Sequence, residues 1–453
     1  MSSLSAPYRA LTLGMIALVT LIAFEAVAVT TAMPTVARAL DGLTLYALAF
    51  GGALAASVVG MVVAGAWGDA RGPAGPTWAG VALFIAGLLI AGTAPDMWVL
   101  VGGRAVQGFG GGLVVVALYV VVGRAYPADL HPRVFAAFAG AWVLPSIAGP
   151  SIAGLIVEHL HWRWVFLGVV LLAVPSILLI APGLRGLPPA ERGTADLSIV
   201  GWAVAAAVSV GLLHFGGQRG GVDAVVLIGA GIAGLVFVTP KLLPAGTFTA
   251  RRGLPSVVLL RGFAGAAFIQ TDVFIPLMLT RERGFSPSAA GLTLTVGGLA
   301  WSLGSWYQSR LGQRLGPRAR LTLGLSLIAV GVAAAAAVVA PAVPVPVVVG
   351  GWLLGGFGMG VSYPTMSALT LRLAPAGQQG RSSSSLQLSD SLHSTTVLAV
   401  SGTLFAALIA TAPYAAYLAG YGLAFGLAVA GIWVARRTST PTGTPGRASV
   451  PVG

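Results

Sequence analysis

The sequence has no cysteine, and only 8% of its 453 residues are charged. Without cysteine, a disulfide framework, thiol catalysis and a cysteine-ligated metal site are all excluded. A soluble domain carries roughly 25% charged residues, so this chain cannot cover a globule of its size with a water-facing surface. Apolar residues make up 57% of the chain and the mean hydropathy is +0.91. Most of the surface must therefore face lipid.

Acidic residues are scarce as well, with 12 against 25 basic residues and a formal net charge of +13. Such an excess can indicate a nucleic-acid partner. Here the basic residues are scattered between apolar runs without interleaved aromatics, so we expect no nucleic acid. The sequence also lacks a phosphate-binding loop, a dinucleotide fingerprint and a nucleophile elbow. We therefore expect no cofactor, no metal and no enzymatic activity.

Fourteen apolar runs follow one another between residues 10 and 435, and the fifth covers 134–157. Each is close to the roughly 20 residues that a helix needs to cross the hydrocarbon. With the N-terminus inside, 18 basic residues fall in inner segments, 5 in outer segments, and Arg104 and Arg261 within the runs. Because arginine and lysine favour the cytoplasmic side, both termini should be cytoplasmic. The sequence predicts an all-α polytopic membrane protein.

An internal repeat underlies this layout. Residues 68–74 read GDARGPA and residues 312–318 read GQRLGPR, while GFGGG at 108–112 returns as GFGMG at 356–360. The nearly constant offset predicts two homologous six-helix bundles, with two extra helices inserted between them. The expected organisation is an N-terminal bundle, a linker carrying the inserted helices, a C-terminal bundle and a disordered cytoplasmic tail. Their bounds are 1–185, 186–254, 255–435 and 436–453.

Five short motifs resemble those of the major facilitator superfamily, and in particular its fourteen-span drug:proton antiporters. They are FEAVAVTTAMP at 24–34, GAWGDARG at 65–72, RAVQGFG at 104–110, GPSIAG at 149–154 and WRWVF at 162–166. The resemblance implies proton-coupled efflux of drugs or amphipathic metabolites by alternating access. It also implies a monomer in a bacterial inner membrane, with a small-molecule substrate, protons and membrane lipid as partners.

Five residues of these motifs are the predicted gate. The glycines of the loop after the second run, Gly72 among them, allow a tight turn between two helices. Asp69 can accept hydrogen bonds from a helix N-terminus in the other half and close the cytoplasmic side, with Arg71 beside it. In the fifth run, Gly149 permits close helix approach, and Pro150 leaves an unpaired carbonyl and a kink.

Three charged residues inside apolar runs are the predicted proton-coupling set: Glu25, Arg104 and Asp272. Glu25 lies about 22 Å from the inner end of its helix and Arg104 about 10 Å from the outer end of its own, so both reach a similar depth. They either pair directly or share a water. Asp272 lies on the repeat counterpart of the first helix, at a different level. Intramembrane ionisable groups usually serve function and bind protons in transporters.

Polar residues near these acids form the predicted substrate cavity. Gln107 belongs to the RAVQGFG motif, and Gln270 precedes Asp272 by two positions. Gln387 and Asp390 lie on a polar stripe at helical spacing in the thirteenth run, with His393 adjoining. Asp390 is close enough to the cytoplasmic end that it could instead be simply hydrated.

Other functions stay open at this point. A proton-coupled importer or a lipid transporter of the same superfamily would share these features. A membrane enzyme or a receptor fits less well, because enzymes of this kind need a histidine or aspartate cluster at the interface. The sequence does not identify the substrate.

Overall fold

The computed structural model describes residues 8–127, 130, 134, 137–138, 140–185, 197–217, 219, 221–310, 314–374 and 379–438. Within these ranges, only the backbone is described for Asp69, Arg185, 197–199, 379–381 and 383–384. The predicted linker residues 186–196 and tail residues 439–453 lie outside the described part.

The described residues form fourteen α-helices, and no β-strand occurs among them. Eleven of the helices are long and apolar enough to cross a membrane. The predicted all-α architecture is confirmed. The helices are α1 Arg9–Ala39, α2 Tyr46–Arg71, α3 Ala74–Gly92, α4 Met97–Ala125, α5 Val143–His159, α6 Trp164–Arg185, α7 Leu197–Gly216, α8 Gly221–Leu242, α9 Leu254–Glu282, α10 Pro287–Arg310, α11 Pro317–Ala337, α12 Pro346–Leu373, α13 Gln379–Leu408 and α14 Pro413–Ala435.

Helices α1–α6 pack chiefly against one another, as do α9–α14, and α7 pairs with α8. Within the first set, α4 packs against both α2 and α3, and in the second α12 packs against both α10 and α11. Hydrogen bonds join helix ends on each of two sides of the molecule, Thr12 in the first turn of α1 with Tyr126 after α4, and Glu158 near the end of α5 with Ser288 in the first turn of α10. We call these the Gly42 side, with the α1–α2 turn, and the Gly72 side, with the α2–α3 turn.

Two helix pairs join the sets, α2 with α13 and α5 with α10, and α1 adds smaller contacts with α9 and α10. Helix α7 lies against both α2 and α13. Its last turn is tied to α13 because Thr403 Oγ1 donates to the Leu213 carbonyl at 3.2 Å. The inserted helices are therefore attached at a place where the two sets meet.

Helix α5 differs from its predicted run, 134–157. The chain turns at residues 141–142, and α5 begins only at Val143. Pro145 lies in the first turn of α5, where its missing N–H costs no helical hydrogen bond. A proline at that position favours a helix start, so the apolar run does not form one unbroken helix.

Candidate functional site

The first charged cluster lies in the N-terminal helices. Arg104 on α4 forms an ion pair with Glu25 on α1 and donates from Nη1 to Gln107 Oε1 at 2.6 Å. Its Nε donates to the Ala49 carbonyl on α2 at 3.4 Å. All three side chains are buried. The expected proximity of Glu25 and Arg104 takes the form of a direct contact, and one guanidinium joins α1, α2 and α4.

A second cluster, again with an arginine, an acid and a glutamine, lies in the C-terminal helices. Arg261 on α9 donates from Nε to Asp390 Oδ2 at 3.1 Å and from Nη2 to Gln387 Oε1 at 3.2 Å, both on α13. The Tyr363 hydroxyl on α12 donates to Asp390 Oδ1 at 3.0 Å, and the Arg261 guanidinium lies 3.4 Å from the Tyr363 ring centroid. Asp390 thus accepts hydrogen bonds from two protein groups, Arg261 and Tyr363, and is not simply hydrated.

A row of aromatic rings in contact with one another leads from this second cluster to Asp272. The Tyr363 ring lies 5.2 Å from Trp301, Trp301 lies 5.4 Å from Phe268, and Phe268 lies 4.5 Å from Trp352. The Trp352 indole lies beside the Asp272 carboxyl. We call Tyr363, Trp301, Phe268 and Trp352 the aromatic row. The row has a carboxyl group at each end, Asp390 beside Tyr363 and Asp272 beside Trp352.

Asp272 differs from the other two intramembrane acids. Glu25 and Asp390 each have an arginine partner. Within the described part of the chain, Asp272 has no ion-pair partner. Its neighbours are aromatic groups, among them Trp352 on α12 and Tyr46 on α2. The Tyr46 hydroxyl donates to the Val273 carbonyl at 2.8 Å, so Asp272 lies where the two helix sets touch.

Two predicted cavity residues lie apart from these clusters. Gln270 is fully buried, and its Oε1 accepts from Ser401 on α13 at 2.6 Å, so it packs inside the C-terminal helices. His393 Nδ1 lies 2.8 Å from the Ser389 carbonyl, and its ring lies between Phe248 and Phe263. His393 is one turn from Asp390, nearer the Gly42 end of α13, and Phe248 belongs to the connection between α8 and α9.

The predicted gate residues lie in two different places, three at the end of α2 and two in the middle of α5. Arg71 ends α2, and Gly72 follows with a φ of 85°, a left-handed value that favours glycine. Asp69 is in the last turn of α2, but its side chain lies outside the described residues. On α5, Gly149 contacts Val27 and Phe24 of α1. Pro150 presents its carbonyl to Gly291 of α10, so it contributes to the contact between the sets.

The contact between α5 and α10 also has a polar end, on the Gly42 side. Glu158 near the end of α5 accepts hydrogen bonds from the backbone N–H and the hydroxyl of Ser288, at 2.8 and 2.7 Å. Farther along, the Ser151 and Thr295 hydroxyls lie 3.2 Å apart. Ser288 is in the first turn of α10, where a carboxylate is favoured by the helix dipole.

Sequence reasoning missed the pairing of Arg261 with Asp390 and the contact of Glu158 with Ser288. The pairing of Arg261 with Asp390 could have been predicted, because an arginine inside an apolar helix needs a partner. Of the acids inside the apolar runs, only Asp272 and Asp390 had no arginine partner assigned to them. The second had no comparable signal, since Glu158 is an exposed acid at a helix end.

Comparison with known proteins places this geometry in one family. The model of the Major Facilitator Superfamily matches residues 15–395. The multidrug transporter protein MdtP of Bacillus subtilis (strain 168) is 26% identical over 314 residues, which cover 67% of this chain and 58% of that protein. Multidrug resistance protein 3 of the same organism is 25% identical over 319 residues, covering 67% and 62%. The chain thus spans about three fifths of the length of these relatives.

Solved structures agree on the fold. A D-xylose-proton symporter superposes with a TM-score of 0.68 at 14% identity, over 95% of this chain and 98% of that one. The peptide transporter-family (POT) protein PepTSo gives 0.68 at 14% identity, over 94% and 97%. At this identity the likeness shows the fold alone. The family match alone, over residues 15–395, establishes that this multi-pass membrane protein belongs to the major facilitator superfamily, a family of transporters and not of enzymes.

Proposed function

We propose that this transporter exports drugs or amphipathic aromatic metabolites in exchange for protons. The observation that carries the proposal is the buried Glu25–Arg104–Gln107 cluster, because ionisable groups inside membrane helices are costly and usually serve transport. The drug specificity is carried over from two relatives whose names describe multidrug transport. A bacterial inner membrane is the proposed location, since these relatives are bacterial.

Glu25 is the proposed proton carrier. While ionised, its carboxylate attracts Arg104, and protonation removes the charge that holds the pair together. Because the pair joins α1 to α4, a proton on Glu25 frees these helices to move relative to one another. The same argument applies to Asp390, whose partner Arg261 belongs to α9. Each helix set therefore has one ion pair that protonation weakens.

The aromatic row and Asp272 are the proposed wall of the substrate route. Trp301 and Tyr363 are only half-buried, so a planar molecule can stack on them, whereas Phe268 and Trp352 support them from behind. Gln387 and Asp390 supply polar groups beside Tyr363 at one end of this wall, and Gln107 is the proposed polar group of the N-terminal helices. In alternating access the two helix sets, proposed as bundles 1–185 and 255–435, rock about the α2–α13 and α5–α10 contacts.

The experiment that tests the proposal uses purified transporter in proteoliposomes with an imposed pH gradient. Dyes and antibiotics with flat aromatic rings should move against their own gradient when protons flow the opposite way. Collapse of the pH gradient with an ionophore should stop the movement. Movement of substrate in the same direction as the protons would show import by symport and contradict the proposal.

Asp272 is expected to be a second proton site or a site for positively charged substrates. Asp272→Asn should lower pH-driven transport of a cationic dye by about tenfold, because no arginine offsets the charge of Asp272 in the described part. An uncharged dye separates the two roles, since only a coupling defect slows it. Asp223→Asn, which changes an exposed acid in the first turn of α8, is the matched control. Equal rates in both variants would make Asp272 structural.

Fourteen spans with both termini cytoplasmic remain our proposal for topology. The chain has no cysteine, so single cysteines can be placed without background. A cysteine replacing Arg219, before α8, should react with an impermeant maleimide added outside intact cells. One replacing Thr249, between α8 and α9, should react only after the membrane is opened. Labelling of both from the same side would mean that α8 does not cross.

A further inference from the structure

We propose that the Gly72 side of the C-terminal helices binds the phosphate group of an anionic phospholipid. The site is a cluster of five arginines, which we call the arginine patch: Arg310, Arg314, Arg318, Arg320 and Arg372. Arg310 lies in the last turn of α10, Arg318 and Arg320 near the start of α11, and Arg372 in the last turn of α12. Arg314 lies in the connection between α10 and α11.

The packing of these helices brings the arginines together. Helix α12 packs against both α10 and α11, parallel to α10 and antiparallel to α11, so its end lies near the end of α10 and the start of α11. Arg372 and Arg320 are close enough for their charges to repel one another. Arg320 is half-buried, and its Nε is covered without an acceptor in the described part of the chain. The other four arginines are exposed.

Nothing in this part of the chain neutralises the patch. Between Glu282 and Asp390 the sequence contains no acidic residue. Among the described residues, none of the five arginines forms an ion pair. The first turn of α11 has no acid and no side-chain cap, so the positive end of its helix dipole adds to the same field. Like charges this close repel one another, and a bound anion removes the repulsion.

The corresponding loop of the N-terminal helices lacks this character. Residues 68–74 read GDARGPA, against GQRLGPR at 312–318. In that alignment Gln313 replaces the acid Asp69, and two alanines are replaced by Arg314 and Arg318. Arg71 is matched by Leu315, so the C-terminal copy has two arginines and no acid, whereas the N-terminal copy has one arginine and one acid. Basic residues that only orient the chain in the membrane would not require the two loops to differ in this way.

Apolar side chains next to the patch point to a lipid as the source of the phosphate. Trp306, one turn before Arg310, is 53% exposed, and Leu371, beside Arg372, is 54% exposed. Leu315 and Leu323 are also exposed. Tryptophan favours the membrane interface, and basic pockets between helix ends bind anionic headgroups there. A free phosphate would use the arginines alone, whereas a phospholipid also covers these apolar groups.

Titration of the purified transporter in detergent tests the site, with bound lipids counted by native mass spectrometry. Dioleoylphosphatidylglycerol should bind more tightly than dioleoylphosphatidylcholine, which has the same chains. The variant Arg318→Gln/Arg320→Gln/Arg372→Gln should lose that preference, by about fivefold per arginine removed. Lysine at the same three positions keeps the charge and should keep most of the preference, which also shows that the loss is not misfolding.

The control variant is Arg9→Gln/Arg251→Gln/Arg252→Gln, which removes three exposed arginines from the same side of the molecule. It should bind phosphatidylglycerol like the unaltered chain. Inorganic phosphate at equal concentration should not displace the lipid. Equal binding of the two lipids, equal losses in both triple variants, or displacement by phosphate would each overturn the proposal. Transport activity does not enter any of these readouts, so the proposed export function is tested separately.

Discussion

Glu25→Gln should abolish pH-driven transport while leaving a folded protein that still binds substrate. Glutamine has the size of glutamate but neither binds nor releases a proton in the physiological range. The rate under a pH gradient should fall by more than about tenfold, because a positioned proton-transfer group contributes at least that much. Exchange of labelled substrate across the membrane without a gradient should persist, because that exchange needs alternating access but no net proton movement.

In this experiment, the effect of Glu25→Gln on folding stability has to be separated from its effect on proton coupling. Removal of one partner from a buried ion pair costs about 3–5 kcal/mol, since the other charge is left uncompensated. Glu25→Gln alone should therefore lower the thermal unfolding temperature. The double variant Glu25→Gln/Arg104→Gln removes both charges and should recover most of the stability without recovering transport. Recovery of transport in the double variant, or a normal pH-driven rate in the single one, would show that Glu25 is structural.

The sequence was sufficient to predict helices and the family, because both depend on local patterns. Apolar runs of span length give the helices directly, and glycine-rich motifs at fixed spacing give the family. The pairing of Glu25 with Arg104 was also within reach, since both side chains are costly at similar depths in the membrane. These inferences need only the chain, the thickness of the hydrocarbon and the cost of a buried charge.

Side-chain partners across distant helices were harder to predict. Arg261 and Asp390 are separated by 129 positions, and Gln270 turns away from the acid that it nearly adjoins in sequence. Which face of a helix points inward depends on how its neighbours pack, and the apolar pattern cannot show that when helices are apolar all round. The start of α5 depends on a proline in its first turn, which the apolar count of the run does not register.

The contact between α5 and α10 on the Gly42 side has two components of unequal strength. Glu158 bonds to the start of α10, but it is exposed to water, and a charge at a helix N-terminus contributes about 0.3–1 kcal/mol. Gly154 lies directly against the backbone of Ser288, where a Cβ atom would overlap the Ser288 N and Cα. Backbone atoms cannot move aside as a side chain does, and overpacking costs about 1–3 kcal/mol or more. The close approach of the two helices at Gly154 therefore contributes more to the closed Gly42 side than the Glu158 hydrogen bonds do.

Gly154→Val should hold the Gly42 side open and reduce transport by at least about tenfold, because a difference of 1.4 kcal/mol already changes a population tenfold. Glu158→Gln should reduce it only a few fold. A cysteine replacing Thr31, which is buried against Gly291 of α10, reports the opening. Its maleimide labelling should rise in the Gly154→Val background and stay low with Gly168→Val, since no neighbouring atom surrounds Gly168. If Gly154→Val left both labelling and transport unchanged, the α5–α10 contact would not be a closing surface of the transport cycle.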